Sequence, residues 1–328
     1  MTRREPTTKM VDEYFYEDLE PDLDESLGGF KTPNPADNIF QRQFIHLSPE
    51  RSRFKKTVEL VLCVHGWKTP DKKEPMTLLI FGVSLKCHAS EFRYQSVDIW
   101  LGFHEDDRTD ASSSTAEAHP AVTAYAPFVK QKRWNEASAS VEDKKTRGVT
   151  LGASQFVTAE ANAQQEKAAS YTRRHFDRGT AERMVNEKTG HVYGVEWYIE
   201  QNELQQFGVE PFFYLAVLLD RSHDTNNNPV TFRCIFDMKI EAGFLHDFEQ
   251  GLRRIFRLNK PEDDPLYFDP SKTEPEVHGL EGEGARLLKR IQPDSLGDLA
   301  QGYELTKLLE TEGTELLSGL GPLSPPSM

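Results

Sequence analysis

The sequence predicts a mainly β protein, an antiparallel β-sandwich with a short C-terminal helix and disordered flanks. Three observations carry that expectation. Between Val58 and Glu241 the dominant hydrophobic period is two, the spacing that sends successive side chains to opposite faces of a strand. Clusters of Asn, Asp, Gly and Pro punctuate the runs where turns are needed. Few helical segments lie between the runs, so the crossover connections of a parallel sheet are missing.

Taken in order, residues 1–52 read as a disordered acidic segment. Asp12 to Leu27 interleaves acids with Tyr14, Phe15, Tyr16, Leu19, Leu23 and Leu27, too little apolar surface to offset the entropy of ordering. Phe40, Phe44, Ile45 and Leu47 are candidates for the start of the folded part. The sandwich is placed at 53–258. Its first strand, Val58–Val64, is apolar on both faces, and the next puts Leu79, Phe81, Val83 and Leu85 on one face. Pairing the two through a turn near Pro70–Lys72 sets Cys63 opposite about Leu79 and Cys87 opposite about residue 55. In Arg93–Phe103, Val97, Ile99, Leu101 and Phe103 oppose Tyr94, Ser96, Asp98 and Trp100.

Residues 104–119 form a polar loop expected to be mobile, and Ala159–Ala169 reads as a weak helix or linker. Val192–Glu200 and Phe212–Asp220 are further strands, the second apolar on both faces and hence central. Asn186–Gly190 can close a hairpin, and Asp224–Pro229 separates the last two strands. The clearest alternation is Thr231–Glu241, with Phe232, Cys234, Phe236, Met238 and Ile240 on one face and Ile235 as the exception. The period then changes: Phe244, Phe248, Leu252 and Ile255 predict a helix over 243–257. Residues 259–328 read as a Pro/Gly/acidic tail. It holds an amphipathic candidate at 285–291, and a capping box at Ser295 opens a helix over 295–317 with Leu305, Leu308, Leu309 and Leu316 on its apolar side.

Composition narrows the functions. The 328 residues carry a net charge of −14, with 37% hydrophobic residues and a mean hydropathy of −0.61. The acidity is concentrated in 1–52, 104–119 and 259–328, and it argues against a nucleic-acid partner, which needs a positive surface. The best local basic patch, Arg173-Arg174-His175 with Arg178 and Arg183, reads as a solvated edge. Cys63, Cys87 and Cys234 read as buried free thiols. No apolar run follows the polar amino terminus, and none approaches the roughly 20 residues of a membrane span. The expected setting is the cytoplasm or nucleus, with no membrane partner.

No cofactor or metal is expected. Cys63 with His65 and Cys87 with His88 do not converge on one tetrahedral site. The acids Glu105, Asp106, Asp107 and Asp110 read as a solvated loop rather than a calcium site. Gly279, Gly282 and Gly284 follow no strand and have the wrong spacing for a phosphate loop. The enzymatic alternative is a degenerate α/β-hydrolase, in which the strand ending in His65-Gly66 would present an oxyanion hole and Ser154 a nucleophile, with Asp220 and His246 as partners. Against it, Phe156 occupies the last glycine position of the nucleophile elbow.

Several runs together resemble a family of uncharacterised intracellular proteins from filamentous fungi. They are Gly194-Val195-Glu196-Trp197, Gly208-Val209-Glu210-Pro211, Leu215–Leu219, Phe232-Arg233-Cys234 and Asp263-Asp264-Pro265-Leu266-Tyr267-Phe268-Asp269-Pro270, with Thr172-Arg173-Arg174 upstream. The likeness spans about residues 55–270, and Glu210 departs from the family's turn. It implies the sandwich and a fungal intracellular setting, and it brings no activity and no site residues.

The preferred expectation is therefore a non-enzymatic interaction module with a protein partner of unknown identity. Tyr14, Phe15, Tyr16 and Leu19 are the candidate partner-binding residues, since acids can keep such side chains solvated until they fold against an apolar groove. A solubilising tail is the competing reading of the same composition. No catalytic residue is assigned, and the oligomeric state is left open.

Overall fold

The computed structural model describes residues 32–35, 39–48, 54–87, 92–106, 108, 120–144, 168–222, 228–244, 263–279 and 282–310. Among the described residues, twelve strands form two antiparallel six-stranded sheets packed face to face, so the predicted mainly β sandwich is what the chain builds. The strands are β1 (Phe44–Leu47), β2 (Phe54–Trp67), β3 (Pro75–Cys87), β4 (Phe92–Glu105), β5 (Ala121–Ala126), β6 (Lys132–Lys144), β7 (Ala168–Val185), β8 (Val192–Glu200), β9 (Phe212–Asp220), β10 (Phe232–Phe244), β11 (Leu266–Phe268) and β12 (Glu276–Val277). Sheet I runs β1-β2-β3-β9-β5, with β12 also on β2, and sheet II runs β11-β10-β4-β8-β7-β6.

Alternation explains the main core. Phe232, Cys234, Phe236 and Met238 of β10 are buried, while Ile235, the exception to the pattern, is exposed. From the facing sheet come Leu79, Phe81, Val83 and Leu85 of β3 and Phe213, Leu215, Val217 and Leu219 of β9. Trp197 lies at the centre, its indole Nε1 donating to the Pro127 carbonyl at 3.2 Å and its ring edge-on to Tyr125. The β2–β3 register matches the expectation: Cys63 faces Leu79, and Cys87 faces Phe54. Asn186–Gly190 closes the β7–β8 hairpin, with Gly190 in the left-handed region at φ 72°.

Bulges correct the simple period. An extra residue, Gln95, falls opposite the step between Glu241 and Ala242. Tyr94, expected on the wet face, therefore turns inward to 3% exposure, and its hydroxyl donates to the Lys55 carbonyl at 3.0 Å. A second irregularity between Leu60 and Leu62 lets Val58 and Leu60, then Cys63, all face the interior.

The strands that read as apolar on both faces have a cover on the outside. Val61, Leu62 and Val64 of β2, Met76, Leu78 and Ile80 of β3, and Ala216 and Leu218 of β9 form a second core. It is closed by Leu287 of helix α1 (Glu283–Leu288), Ile291, Leu296 of the 3-10 segment Pro293–Ala300, and Leu305, Leu308 and Leu309 of helix α2 (Glu304–Leu309). These residues fall where the sequence read a tail. The expected helix over 295–317 is interrupted: Gln301 is extended between the 3-10 segment and α2, and residues beyond 310 lie outside the described part. Backbone contact fixes the cover tightly. A Cβ on Gly66 would sit 2.1 Å from the Pro293 carbonyl oxygen, and one on Gly297 would sit 2.6 Å from the Lys68 carbonyl oxygen, whose partner is the Gly297 N–H.

A polar clasp joins the residues on either side of the sandwich. The Asp263 carboxylate accepts the Thr32 N–H at 2.8 Å and bonds His46 Nδ1 at 2.7 Å. Asp264 accepts the Asn34 N–H through its side chain and, through its carbonyl, the buried Arg42 guanidinium at 2.6 Å. Burial raises Asp263, but the bond and charge of His46 and the Thr32 amide outweigh it and hold its carboxyl below the ordinary range. The run Asp263-Asp264-Pro265 is thus a fastener, and it delivers β11 to the edge of β10.

Other expectations resolve differently. Gly243 and Phe244 continue β10 instead of starting a helix, and the rest of 243–257 lies outside the described residues. Ala168 and Ala169 open β7, not a helix. Most of the 104–119 loop lies outside the described residues, but His104 and Glu105 belong to β4. Among the described residues no helix is long and apolar enough to cross a membrane.

Candidate functional site

Two sequence-level candidates meet the structure unequally. Tyr14, Phe15, Tyr16 and Leu19 lie outside the described residues, as do Ser154 and His246. His65 is described, and it faces the sandwich interior beside Cys63. Its Nδ1 is 2.9 Å from the Thr77 hydroxyl and its Nε2 is 2.9 Å from Gln41 Nε2. Burial, with the nearby Arg221 charge, drives the imidazole down to about 3, so it is neutral throughout the physiological range. Burial also raises the Cys63 thiol well above its ordinary value. Gly66 sits in the β2 ladder opposite Met76, with Pro293 against its α-carbon. The small residue in His65-Gly66 is explained by that packing. Among the described residues no group of three or more His, Cys, Asp or Glu is arranged to hold a metal ion.

The built surface lies elsewhere, where the chain crosses from β8 of sheet II to β9 of sheet I. Residues 201–211 make this crossing, and a buried polar network pins them. Asn202 is fully buried; its N–H donates to Asp177 Oδ1 at 2.5 Å and its amide to the Asn135 carbonyl at 2.6 Å. Its own Oδ1 accepts the N–H groups of Leu204 and Gln205. Asn135 also donates its side-chain amide to Asp177. Burial raises the Asp177 carboxyl, and these hydrogen bonds offset only part of that. The far side is held by Arg93, which donates to Gln206 Oε1 at 2.7 Å, and by the Val209 N–H on the Tyr94 carbonyl. Gly208 takes φ 91° where the loop turns against Arg93.

The tip of this pinned loop holds large apolar side chains in water. Phe207 is 80% exposed and Leu204 46% exposed. The same loop supplies Glu203 to a shallow hollow of about 210 Å³ whose other walls include Arg133, Arg174, Phe176 and Arg178. Arg133 and Arg178 are direct cross-strand neighbours on β6 and β7, a like-charged pairing that is unfavourable unless answered. Arg178 is answered by Glu200 at 2.9 Å and Arg174 by Glu136 at 3.3 Å, while Arg133 stacks over the Phe176 ring at 5.0 Å. The basic run therefore lies on an interior strand of sheet II, with β6 outside it, and not at an edge. The loop thus carries an exposed phenylalanine and also borders a hollow in which Arg133 stacks on an aromatic ring, residue types that concentrate binding energy at protein interfaces.

Sequence reasoning missed this loop. Its signal was Leu204 and Phe207, two apolar residues in the otherwise polar run Gln201–Phe207 immediately before Gly208. Compared with known protein families and with curated proteins, the chain matches none of either.

Proposed function

We propose that this protein is a non-enzymatic interaction module of the cytoplasm or nucleus that grips a protein partner through loop 201–211 and the arginine-lined hollow beside it. The observation that carries the reading is Phe207, four-fifths exposed at the tip of a loop whose base is fastened by buried hydrogen bonds. A fixed loop has already lost the freedom that a mobile one surrenders on binding, so the apolar contact is realised as affinity. Arg133 and Arg174 favour a partner with acidic groups near its apolar anchor. The N-terminal residues Tyr14, Phe15, Tyr16 and Leu19 supply a second, separable attachment in this reading.

The test is affinity capture with full-length wild type, Phe207→Ala, Arg133→Glu and a chain lacking residues 1–31. Partners recovered by wild type should fall about tenfold with Phe207→Ala, the scale of a 1.4 kcal/mol interface residue, while its melting temperature stays at the wild-type value. Equal recovery by wild type, Phe207→Ala and Arg133→Glu refutes the assignment of the surface. Loss only on deletion of 1–31 places the attachment at the N-terminal segment instead.

A further inference from the structure

β6 is the outermost strand of sheet II, and among the described residues no strand pairs with its far side. Its 13 residues therefore present an open ladder edge, a template for one more strand. Sheet I ends inboard of this edge: its last strand, β5, sets Tyr125 against Trp197 of β8 and bonds the Ala181 carbonyl of β7. β6 and β7 also outrun their sheet. β8 pairs with β7 only over Arg178–Val185, so over residues 168–177 the sheet narrows to a ribbon of β6 and β7. A two-stranded ribbon is marginal in water, and a third strand is what stabilises it.

Edges are normally blunted by proline or by charge that repels another strand. β6 holds no proline, and its middle, Ala137-Ser138-Ala139-Ser140, carries neither charge nor bulk. Its charges lie towards the two ends and differ in sign, with Lys132 and Arg133 first and Glu142 and Asp143 near the finish. Glu136, between them, is taken by Arg174 at 3.3 Å.

The bulge in β6 decides what this pattern can pair with. Trp134 lies across from Asp177 and Ala137 from His175, so three steps along β6 cover two along β7. When a second copy of β6 lies antiparallel beside the first, with a two-fold axis at Ser138, Ala137 meets Ala139. The shortened bulge then carries Trp134 to Val141, Arg133 to Glu142 and Lys132 to Asp143. Symmetry repeats each pair on the other side of the axis. Without the bulge the pairs would slip by one, and Lys132 would meet Lys144. The faces agree too, since Arg133 lies across from Arg178 and Glu142 from Ser170, an even number of residues apart on β7. Within one chain the demand for acid is unmet. Arg178 has Glu200 and Arg174 has Glu136, but among the described residues no carboxylate pairs with Arg133 or Lys132.

We infer that the protein forms a two-fold dimer by pairing β6 with β6 of a second copy, which joins the two sheets II into one continuous sheet. Opposite charges directly across an antiparallel pair hold the register, and the small residues around Ser138 let the strands close at the axis. Arg133 is the residue this edge shares with the hollow; loop 201–211 takes no part in the pairing.

Sedimentation velocity on the full-length protein tests this. Wild type between about 1 and 200 µM should show a monomer–dimer equilibrium with a dissociation constant of about 10 µM, as suits a contact made by one strand. About 1 M salt, which screens exposed ion pairs, should weaken it at least about threefold. The double variant Lys132→Glu, Arg133→Glu and the double variant Glu142→Lys, Asp143→Lys each oppose like charges and should weaken self-association at least about tenfold. Mixed together, the two variants regain every pair and should form a heterodimer about as tight as the wild-type dimer, a rescue that damage to the fold cannot produce. Phe207→Ala should leave the dimer unchanged, so this pairing and the loop's attachment to a partner fail separately. Wild type that stays monomeric up to about 200 µM, folded charge variants that do not associate when mixed, or a dimer abolished by Phe207→Ala overturns the inference. Should a charge variant not fold, the wild-type concentration series decides.

Discussion

Replacing Gly66 by alanine adds one methyl group at the point where the C-terminal cover presses most closely on sheet I. That carbon would lie 2.1 Å from the Pro293 carbonyl oxygen, 2.9 Å from its carbonyl carbon and 3.0 Å from Leu296 Cδ1. The nearest atoms are backbone, so relief requires the 3-10 segment to retreat by about 1 Å. A gap of that size forfeits a quarter to a half of each affected dispersion contact. Leu296 is completely buried, and full burial of a leucine is worth about 1.5–3 kcal/mol, so its loosening costs about 1 kcal/mol. Strain from overpacking adds about 1–3 kcal/mol. The expected destabilisation is about 2–4 kcal/mol, a fall in melting temperature of roughly 4–16 °C for a domain of this size. The assay is urea unfolding followed by circular dichroism, with limited proteolysis reporting release of residues 282–310. The sign makes the test sharp. At a strand position without such a contact, Gly→Ala stabilises by about 0.4–1 kcal/mol through the unfolded chain. A Gly66→Ala protein as stable as wild type, or more so, refutes the claim that Pro293 dictates this glycine.

Three further outcomes are expected. On the outer face of sheet II, burial, followed by the neighbouring Glu196 carboxylate, raises Asp98 to about 6; a raised acid binds its proton more tightly when folded, so stability is retained below the ordinary value of 3.8 and declines as pH rises from there through 6. Asp98→Asn should therefore stabilise by about 1 kcal/mol at pH 8, after allowance for solvent screening of a half-exposed group, and by nothing at pH 3; equal shifts at both pH values would sink this account. Asp263→Asn weakens the clasp on His46 and Thr32 and should cost about 2–3 kcal/mol at pH 7. Since the Asp263 carboxyl is held below its ordinary range, that penalty should shrink as acid protonates the wild type, and a penalty independent of pH counts against the clasp. Asn202→Ala removes the hub of loop 201–211 and should make protease cleavage there at least about tenfold faster, as expected for a loss of about 1.4 kcal/mol in the local opening free energy; unchanged protection would show that the loop is held by other contacts.

How far the sequence could be read follows from the range of the interactions. Period two is local, and it placed Phe232, Cys234, Phe236 and Met238 inside and Arg233 and Lys239 outside. The β2–β3 pairing was equally legible, because a short turn at Thr69–Lys72 leaves little freedom of register. Tyr94 was misplaced because the bulge at Gln95 breaks the alternation between the two stretches of strand it separates, and a bulge has no signature in hydrophobicity. Loop 201–211 escaped notice because Asn202 reads as an ordinary polar loop residue; only the approach of Asp177 from β7 and Asn135 from β6 makes it a buried hub.

By itself, then, the sequence determined that the protein is a β-sandwich, because alternation along each strand dictates which face must be buried. It also recorded an unmet demand: strands β2 and β9 are apolar on both faces, so something had to cover the outside of sheet I. Only the tertiary structure decided what does so. The cover comes from Leu287, Leu296, Leu305 and Leu308, far along the chain in a stretch whose composition is that of a tail. The physical reason is that hydrophobic burial is non-directional: an apolar face specifies that water must be excluded, but not which distant residues exclude it. That choice was made by close backbone fit at Gly66, Gly284 and Gly297, where any side chain would have kept the two surfaces apart.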